Sequence, residues 1–185
     1  KDTPVSTGKR LIIDNISLYG KKETIENQEY SGEEINFSLP FPTGVNILIA
    51  DNFKGKSSIF KLIKYALTGK SKDLKTNVKK WIDYFFVNFS IKDKKYTAFI
   101  DLSNNYLYGY LCNTHFNSLS VFKSKSNIII FEVRGEDKYE EEIKDFFFKQ
   151  FTYYSLKWTQ KSSAKDSDEL KEARASWRTY FKSIL

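Results

Sequence analysis

The sequence predicts an α/β domain that contains an antiparallel β meander and flanking helices, and three observations support this fold class. The chain has 185 residues, of which 41% are hydrophobic, and it contains only 8 Gly and 3 Pro. That size and composition suit one folded domain rather than a disordered chain. Apolar and polar residues alternate in several segments, as they do in strands, while one segment has the helical period. We therefore expect residues 1–185 to form a single domain.

The first region of this domain, residues 9–70, begins with three predicted strands. Residues 11–18 and 34–39 alternate apolar and polar side chains, which is typical of half-buried strands. Proline and glycine at positions 40–44 then predict a turn. Residues 45–50 (VNILIA) are mostly apolar, as expected of a short strand that is buried on both faces.

A helix is predicted directly after these strands. Apolar residues recur there at three- and four-residue spacing, which indicates an amphipathic helix, and Gly69 is placed to end it. The residues of this apolar stripe are Ile59, Leu62, Ile63, Ala66 and Leu67.

The second region, residues 81–133, is predicted to be antiparallel β structure. Three strand-like segments at 84–91, 94–102 and 106–112 are separated by short turns, which predicts a meander. Residues 127–133 predict one further strand.

The third region, residues 136–185, is predicted to be helical. Residues 136–151 form the first helix of this region, and residues 162–167 a polar loop. Asp166 and Glu169 then fit a capping box, which predicts a second helix. The apolar residues of this second helix are Leu170, Ala173 and Trp177.

The composition excludes several kinds of site. The single cysteine, Cys112, rules out an intramolecular disulfide and a thiolate zinc site, and the single histidine, His115, argues against a histidine-rich metal site.

No apolar run approaches the roughly 20 residues of a transmembrane helix, and no signal peptide is recognisable. We therefore expect a cytoplasmic protein with no membrane partner. Because the chain begins with Lys1 and has no methionine, we do not expect it to be an untouched nascent chain, and a trimmed chain or a fragment of a longer protein would each explain this.

Positive charge is concentrated in residues 54–80. The formal net charge of the chain is +7, and this stretch contains nine lysines and a single acidic residue, Asp73. A lysine cluster of this kind can bind the phosphates of a nucleotide or of a nucleic acid. A solvated helix face next to a polar loop explains the cluster equally well.

The segment between the strand at 45–50 and the helix carries the clearest motif. It fits [AG]-x4-G-K-[ST], the relaxed P-loop pattern. A helix N-terminus offers unpaired N–H groups and the positive end of the helix dipole to phosphate oxygens. Gly55 would let the backbone approach the phosphates, Lys56 would contact the β- and γ-phosphates, and the Ser57 hydroxyl would bind Mg²⁺. The predicted ATP-binding residues are Ala50, Asp51, Asn52, Phe53, Lys54, Gly55, Lys56, Ser57 and Ser58. An ordinary lysine-rich turn before a helix is the alternative.

At these residues the chain resembles the N-terminal ATP-binding lobe of the SMC, SbcC, RecF and RecN-type ABC ATPases. The resemblance covers residues 11–69, from a first strand that ends near Asn15 to the segment DNFKGKSSIFKLIKYALTG. The positions that match the family's G-x-N-G-x-G-K-S-S loop are Asn52, Gly55, Lys56, Ser57 and Ser58. The resemblance implies a partial P-loop NTPase domain of the ABC or SMC-head type, with a mixed sheet, an antiparallel meander, and ATP and Mg²⁺ as ligands.

Three positions depart from the family pattern. Ala50 replaces the first glycine of the loop, and Phe53 replaces its fourth-position glycine, where a left-handed backbone conformation would be unfavourable for a bulky residue. Ser17 stands where a basic residue is usual, although Lys21 and Lys22 follow closely. A degenerate ATPase that does not hydrolyse ATP is therefore an alternative.

Hydrolysis in this family also requires a Walker B strand, a signature motif and usually a glutamine loop. The sequence has no LSGGQ-like segment, and Phe131 stands before Glu132 where the Walker B aspartate would be expected. We therefore interpret residues 128–132 as a core strand, and the segment that ends at Asp101 is a poorer match. Gln150 and Gln160 are the candidates for the glutamine that contacts the metal ion.

The resemblance implies the N-terminal half of an ATPase head that dimerises around ATP and acts on DNA, in repair, maintenance or defence against phage or plasmid DNA. ATPase activity is then expected only with a C-terminal half that supplies the Walker B and signature motifs. The expected partners are that half or a second protomer, as a homodimer, together with DNA and an accessory subunit or nuclease. Two alternatives are a stand-alone P-loop nucleotide kinase or GTPase, and a non-catalytic basic nucleic-acid-binding domain.

Overall fold

The structure is a computed structural model that describes most of the chain. The described residues are 8–23, 32–44, 46–49, 55–104, 106–116, 118, 128–151, 157–161 and 170–174. No helix within these ranges is both long enough and apolar enough to cross a membrane.

One six-stranded antiparallel sheet forms the centre of the fold. Its strands are β1 (Leu11–Lys21), β2 (Glu34–Pro40), β3 (Ile82–Ile91), β4 (Lys94–Asp101), β5 (Tyr108–Cys112) and β6 (Ile129–Arg134). Their order in the sheet is β2-β1-β3-β4-β5-β6, and each neighbouring pair is antiparallel. The predicted strands of residues 11–18, 34–39 and the meander are thus confirmed. The expected mixed sheet is not found in the described residues, because every pairing of this sheet is antiparallel.

Three helices and a hairpin complete the described structure. The helices are α1 (Lys56–Thr68), α2 (Thr76–Trp81) and α3 (Glu136–Phe151). The hairpin consists of β7 (Lys157–Lys161) and β8 (Leu170–Arg174), which pair in antiparallel fashion. The predictions of α1 and α3 are confirmed, whereas α2 was not predicted because six residues are too few to show a helical period.

The main hydrophobic core lies between the sheet and the helices α1 and α3. Phe85 and Phe89 of β3 face this core together with Leu62 of α1 and Phe147 of α3. Side chains alternate between the two faces of a strand, so Phe86 of β3 belongs to a second cluster on the other face. The other buried members of this second cluster are Phe99, Cys112 and Phe116.

Close main-chain packing joins the end of α1 to α3. Gly69 ends α1 with a left-handed conformation (φ 74°), and its N–H donates to the carbonyl oxygen of Tyr65 at 2.8 Å. A Cβ atom on Gly69 would lie 2.4 Å from the Cα atom of Glu140, so only glycine fits at this crossing. Next to it, the buried Tyr139 hydroxyl donates to the carbonyl oxygen of Ala66 at 2.7 Å.

Two predicted elements are corrected by the structure. Residues 46–49, within the predicted strand 45–50, have no strand structure, and the side chains of Ile47 and Ile49 are 78% and 87% exposed. A strand requires a neighbour that pairs with its N–H and C=O groups, and no described strand lies beside this segment. Leu170 and Ala173 lie in β8 rather than in a helix, because cross-strand pairing with β7 outweighs the local capping signal. Asp166, Glu169 and Trp177 lie outside the described residues.

The single cysteine and the single histidine of the chain have identifiable neighbours. Cys112 is fully buried in the second cluster. The Nε2 atom of His115 lies 3.2 Å from Asp14 Oδ2 and 3.2 Å from the carbonyl oxygen of Phe89. Among the described residues, no group of three or more His, Cys, Asp or Glu is arranged to hold a metal ion.

We expect Gly69→Ala to destabilise the protein by about 2–5 kcal/mol, since it combines left-handed strain with a main-chain clash. The matched control is Gly44→Ala, because Gly44 also has positive φ (109°) but has no atom within 4 Å of an added Cβ. This control should cost only about 1–2 kcal/mol. Urea denaturation of both variants measures the difference, and equal losses would show that the contact with α3 contributes nothing.

We also expect the thiol of Cys112 to be unreactive in the folded protein. Burial raises the pKa of this thiol to about 12, whereas an unfolded cysteine ionises at about pH 8.5. Above about pH 8.5 the cysteine ionises in the unfolded chain but stays neutral in the folded protein. The free energy of unfolding therefore falls as the pH rises from about 8.5 towards 12. At pH 8, an aromatic disulfide reagent should label Cys112 only after unfolding in urea, and rapid labelling without urea would contradict this.

Candidate phosphate-binding site

The predicted P-loop ends at a glycine that opens α1. Gly55 has a left-handed conformation (φ 86°, ψ 3°) and directly precedes the first helical residue, Lys56. An L-residue with a side chain would be strained in this conformation. Among the described residues, no atom lies within 4 Å of a Cβ added to Gly55. The glycine is therefore required by the backbone conformation and not by a close contact with a described residue.

Hydrogen bonds in the first turn of α1 show which N–H groups the helix itself uses. The carbonyl oxygen of Gly55 accepts hydrogen bonds from the N–H of Ser58 at 2.9 Å and from the N–H of Ile59 at 3.1 Å. The helix thus uses its N–H groups from Ser58 onwards, whereas the earlier amides of Lys56 and Ser57 have no acceptor within a helix. The role of Ser58 as an ATP-binding residue stays a prediction.

The side chains at this end of α1 suit an anion. The first helical turn contains no acidic residue, and Lys56 is its first residue. Ser57 is exposed and Lys56 is half-buried. The positive end of the helix dipole adds to the Lys56 charge at the same place. The arrangement therefore fits a phosphate group, and the Ser57 hydroxyl fits a Mg²⁺ ion carried by that phosphate.

The structure describes only part of the predicted site. Gly55, Lys56, Ser57 and Ser58 lie together at the start of α1. The other predicted residues, Ala50, Asp51, Asn52, Phe53 and Lys54, lie outside the described residues.

The buried face of α1 fixes the direction in which this N-terminus points. Leu62, Ile63 and Ala66 are buried in the main core, and the Tyr65 ring packs against Phe85 of β3 with its centroid 6.0 Å away. A helix held along this face acts as a rigid support for the amides at its N-terminus.

The residues considered for the Walker B strand and for the glutamine loop lie on different elements of the fold. Glu132 lies opposite Tyr110 on β6. The strand is thus confirmed, but it is the edge strand of the sheet and none of its side chains is buried, so its interpretation as a core strand was wrong. Asp101 accepts hydrogen bonds from the N–H and the hydroxyl of Ser103 and thereby stabilises a turn. Gln150 is the penultimate residue of α3, and Gln160 lies in β7. A metal-contacting role of either glutamine stays a prediction.

The first polar cluster that sequence reasoning missed joins α1, α2 and α3. The Glu136 carboxylate accepts hydrogen bonds from the N–H of Ser71 at 2.8 Å and from its hydroxyl at 2.9 and 3.0 Å. The Lys79 ammonium donates to the same hydroxyl at 2.5 Å. Burial, followed by the charge of Glu136, raises the pKa of the neighbouring Tyr65 well above its usual range. Because the partners are far apart in sequence, no local pattern could have indicated this cluster.

The second missed cluster lies where β1 and β3 meet. The Ser90 hydroxyl donates to Asp14 Oδ2 at 2.6 Å, and the same oxygen is the one that His115 contacts. Serine and histidine thus share one carboxylate oxygen, whereas an activated nucleophile would bond directly to its base. This cluster therefore supports the fold and is not arranged for nucleophilic catalysis.

A comparison with known protein families agrees with the geometry of the site. A family model described as AAA domain matches residues 10–183 of the chain. The chain therefore belongs to the AAA domain family, a class of P-loop ATPase domains found in SMC-, SbcC- and RecF-like proteins. Membership implies the P-loop NTPase fold and the binding of ATP. Comparisons with curated proteins and with solved structures gave no significant match.

We expect Gly55→Ala to weaken the binding of Mg-ATP at least roughly tenfold, because the strained backbone would displace the amides that bind phosphate. Gly135→Ala is the matched control, since Gly135 also precedes a helix, has positive φ (100°) and has open space around an added Cβ. Both variants should lose about 1–2 kcal/mol of stability. Titration with a fluorescent ATP analogue tests this, and equal affinities of the two variants would contradict the assignment of the site.

Proposed function

We propose that this chain binds Mg-ATP at the N-terminus of α1 and is the N-terminal half of an SMC/RecF-like ATPase head. Two such heads would dimerise around ATP and act on DNA in repair, maintenance or defence. The observation that carries the proposal is the left-handed Gly55 at the start of α1, in a chain of the AAA domain family. The helix dipole and the adjacent lysine make this position attractive to a triphosphate.

Each residue of the site would have a defined task. The amides of Lys56 and Ser57 would donate hydrogen bonds to phosphate oxygens, and the Lys56 ammonium would neutralise charge on the β- and γ-phosphates. The Ser57 hydroxyl would hold Mg²⁺, which supplies further neutralisation of phosphate charge when bound. These interactions bind and orient ATP, while the groups that activate water would have to come from another protein segment.

Exposed apolar side chains support the need for a second half. Ile47 and Ile49 precede the P-loop in a segment with the composition of a buried strand, yet both are almost fully exposed. Phe60, on α1, is 48% exposed. Burial of side chains of this size contributes about 1.5–3 kcal/mol each. A partner segment that pairs with residues 46–49 would gain this energy and would bring the Walker B strand next to the P-loop.

Lys56→Ala tests the nucleotide site. The variant loses the ammonium that would contact the triphosphate, and a hydrogen bond to a charged group contributes about 1.5–3 kcal/mol, so the affinity for Mg-ATP should fall roughly 10- to 100-fold. Lys61→Ala removes an equal charge one turn further along the same helix and should bind as the wild type does. Isothermal titration calorimetry measures both affinities. Equal binding by the wild type and the Lys56 variant would remove the P-loop from the proposal.

An assay of ATP hydrolysis tests whether the chain needs a C-terminal half to be active. The chain alone should bind ATP without turnover, and addition of an SMC-type C-terminal half with Walker B and signature motifs should create ATPase activity that Lys56→Ala abolishes. Turnover by the chain alone would instead favour a self-contained P-loop kinase or GTPase. A chain that binds no ATP would favour the basic nucleic-acid-binding domain.

A further inference from the structure

We draw no further inference here: the strongest candidate, the outer edge of β6, which exposes Ile130 and has no second neighbouring strand among the described residues, carries none because nothing in the structure shows what would pair with it.

Discussion

The contact between the end of α1 and α3 is the constraint on which the geometry of the site depends. Gly69 lets the main chains of the two helices approach closely, and Tyr139 fixes the last turn of α1 through the carbonyl oxygen of Ala66. Both contacts lie at the C-terminal end of α1, whereas the buried stripe of the helix rests on β3. The direction of the N-terminal end at Gly55, and of the helix dipole there, is therefore set by contacts further along the helix.

The same helix junction also brings opposite charges of the domain together. Glu136 lies in the first turn of α3, where the helix dipole favours a carboxylate, and it uses its oxygens to anchor Ser71. Glu140, one turn later, neutralises Lys70. Glu140 thus offsets one lysine of the cluster in residues 54–80, while Glu136 fixes the turn at Ser71.

Local patterns in the sequence predicted those elements whose stability is largely local. The helix at residues 136–151 was predicted with its observed bounds because Tyr139, Ile143 and Phe147 follow the helical period and are buried. Gly55 was identified because the P-loop pattern requires glycine there. The prediction of a helix through Leu170 was wrong because pairing with β7 is a non-local interaction that a capping box cannot reveal. The bond between Ser71 and Glu136 was missed for the same reason.

The segment at residues 46–49 combines a strand-like sequence with an exposed, unpaired backbone. Apolar residues are favoured in strands mainly because a strand is buried and packed between its neighbours in a sheet. In the described residues the antiparallel sheet already ends at β2, and α1 buries one face on that sheet while Phe60 is left partly exposed. Residues 46–49 and the Phe60 side of α1 are therefore the places where the partner segment of the proposed function would gain the most burial.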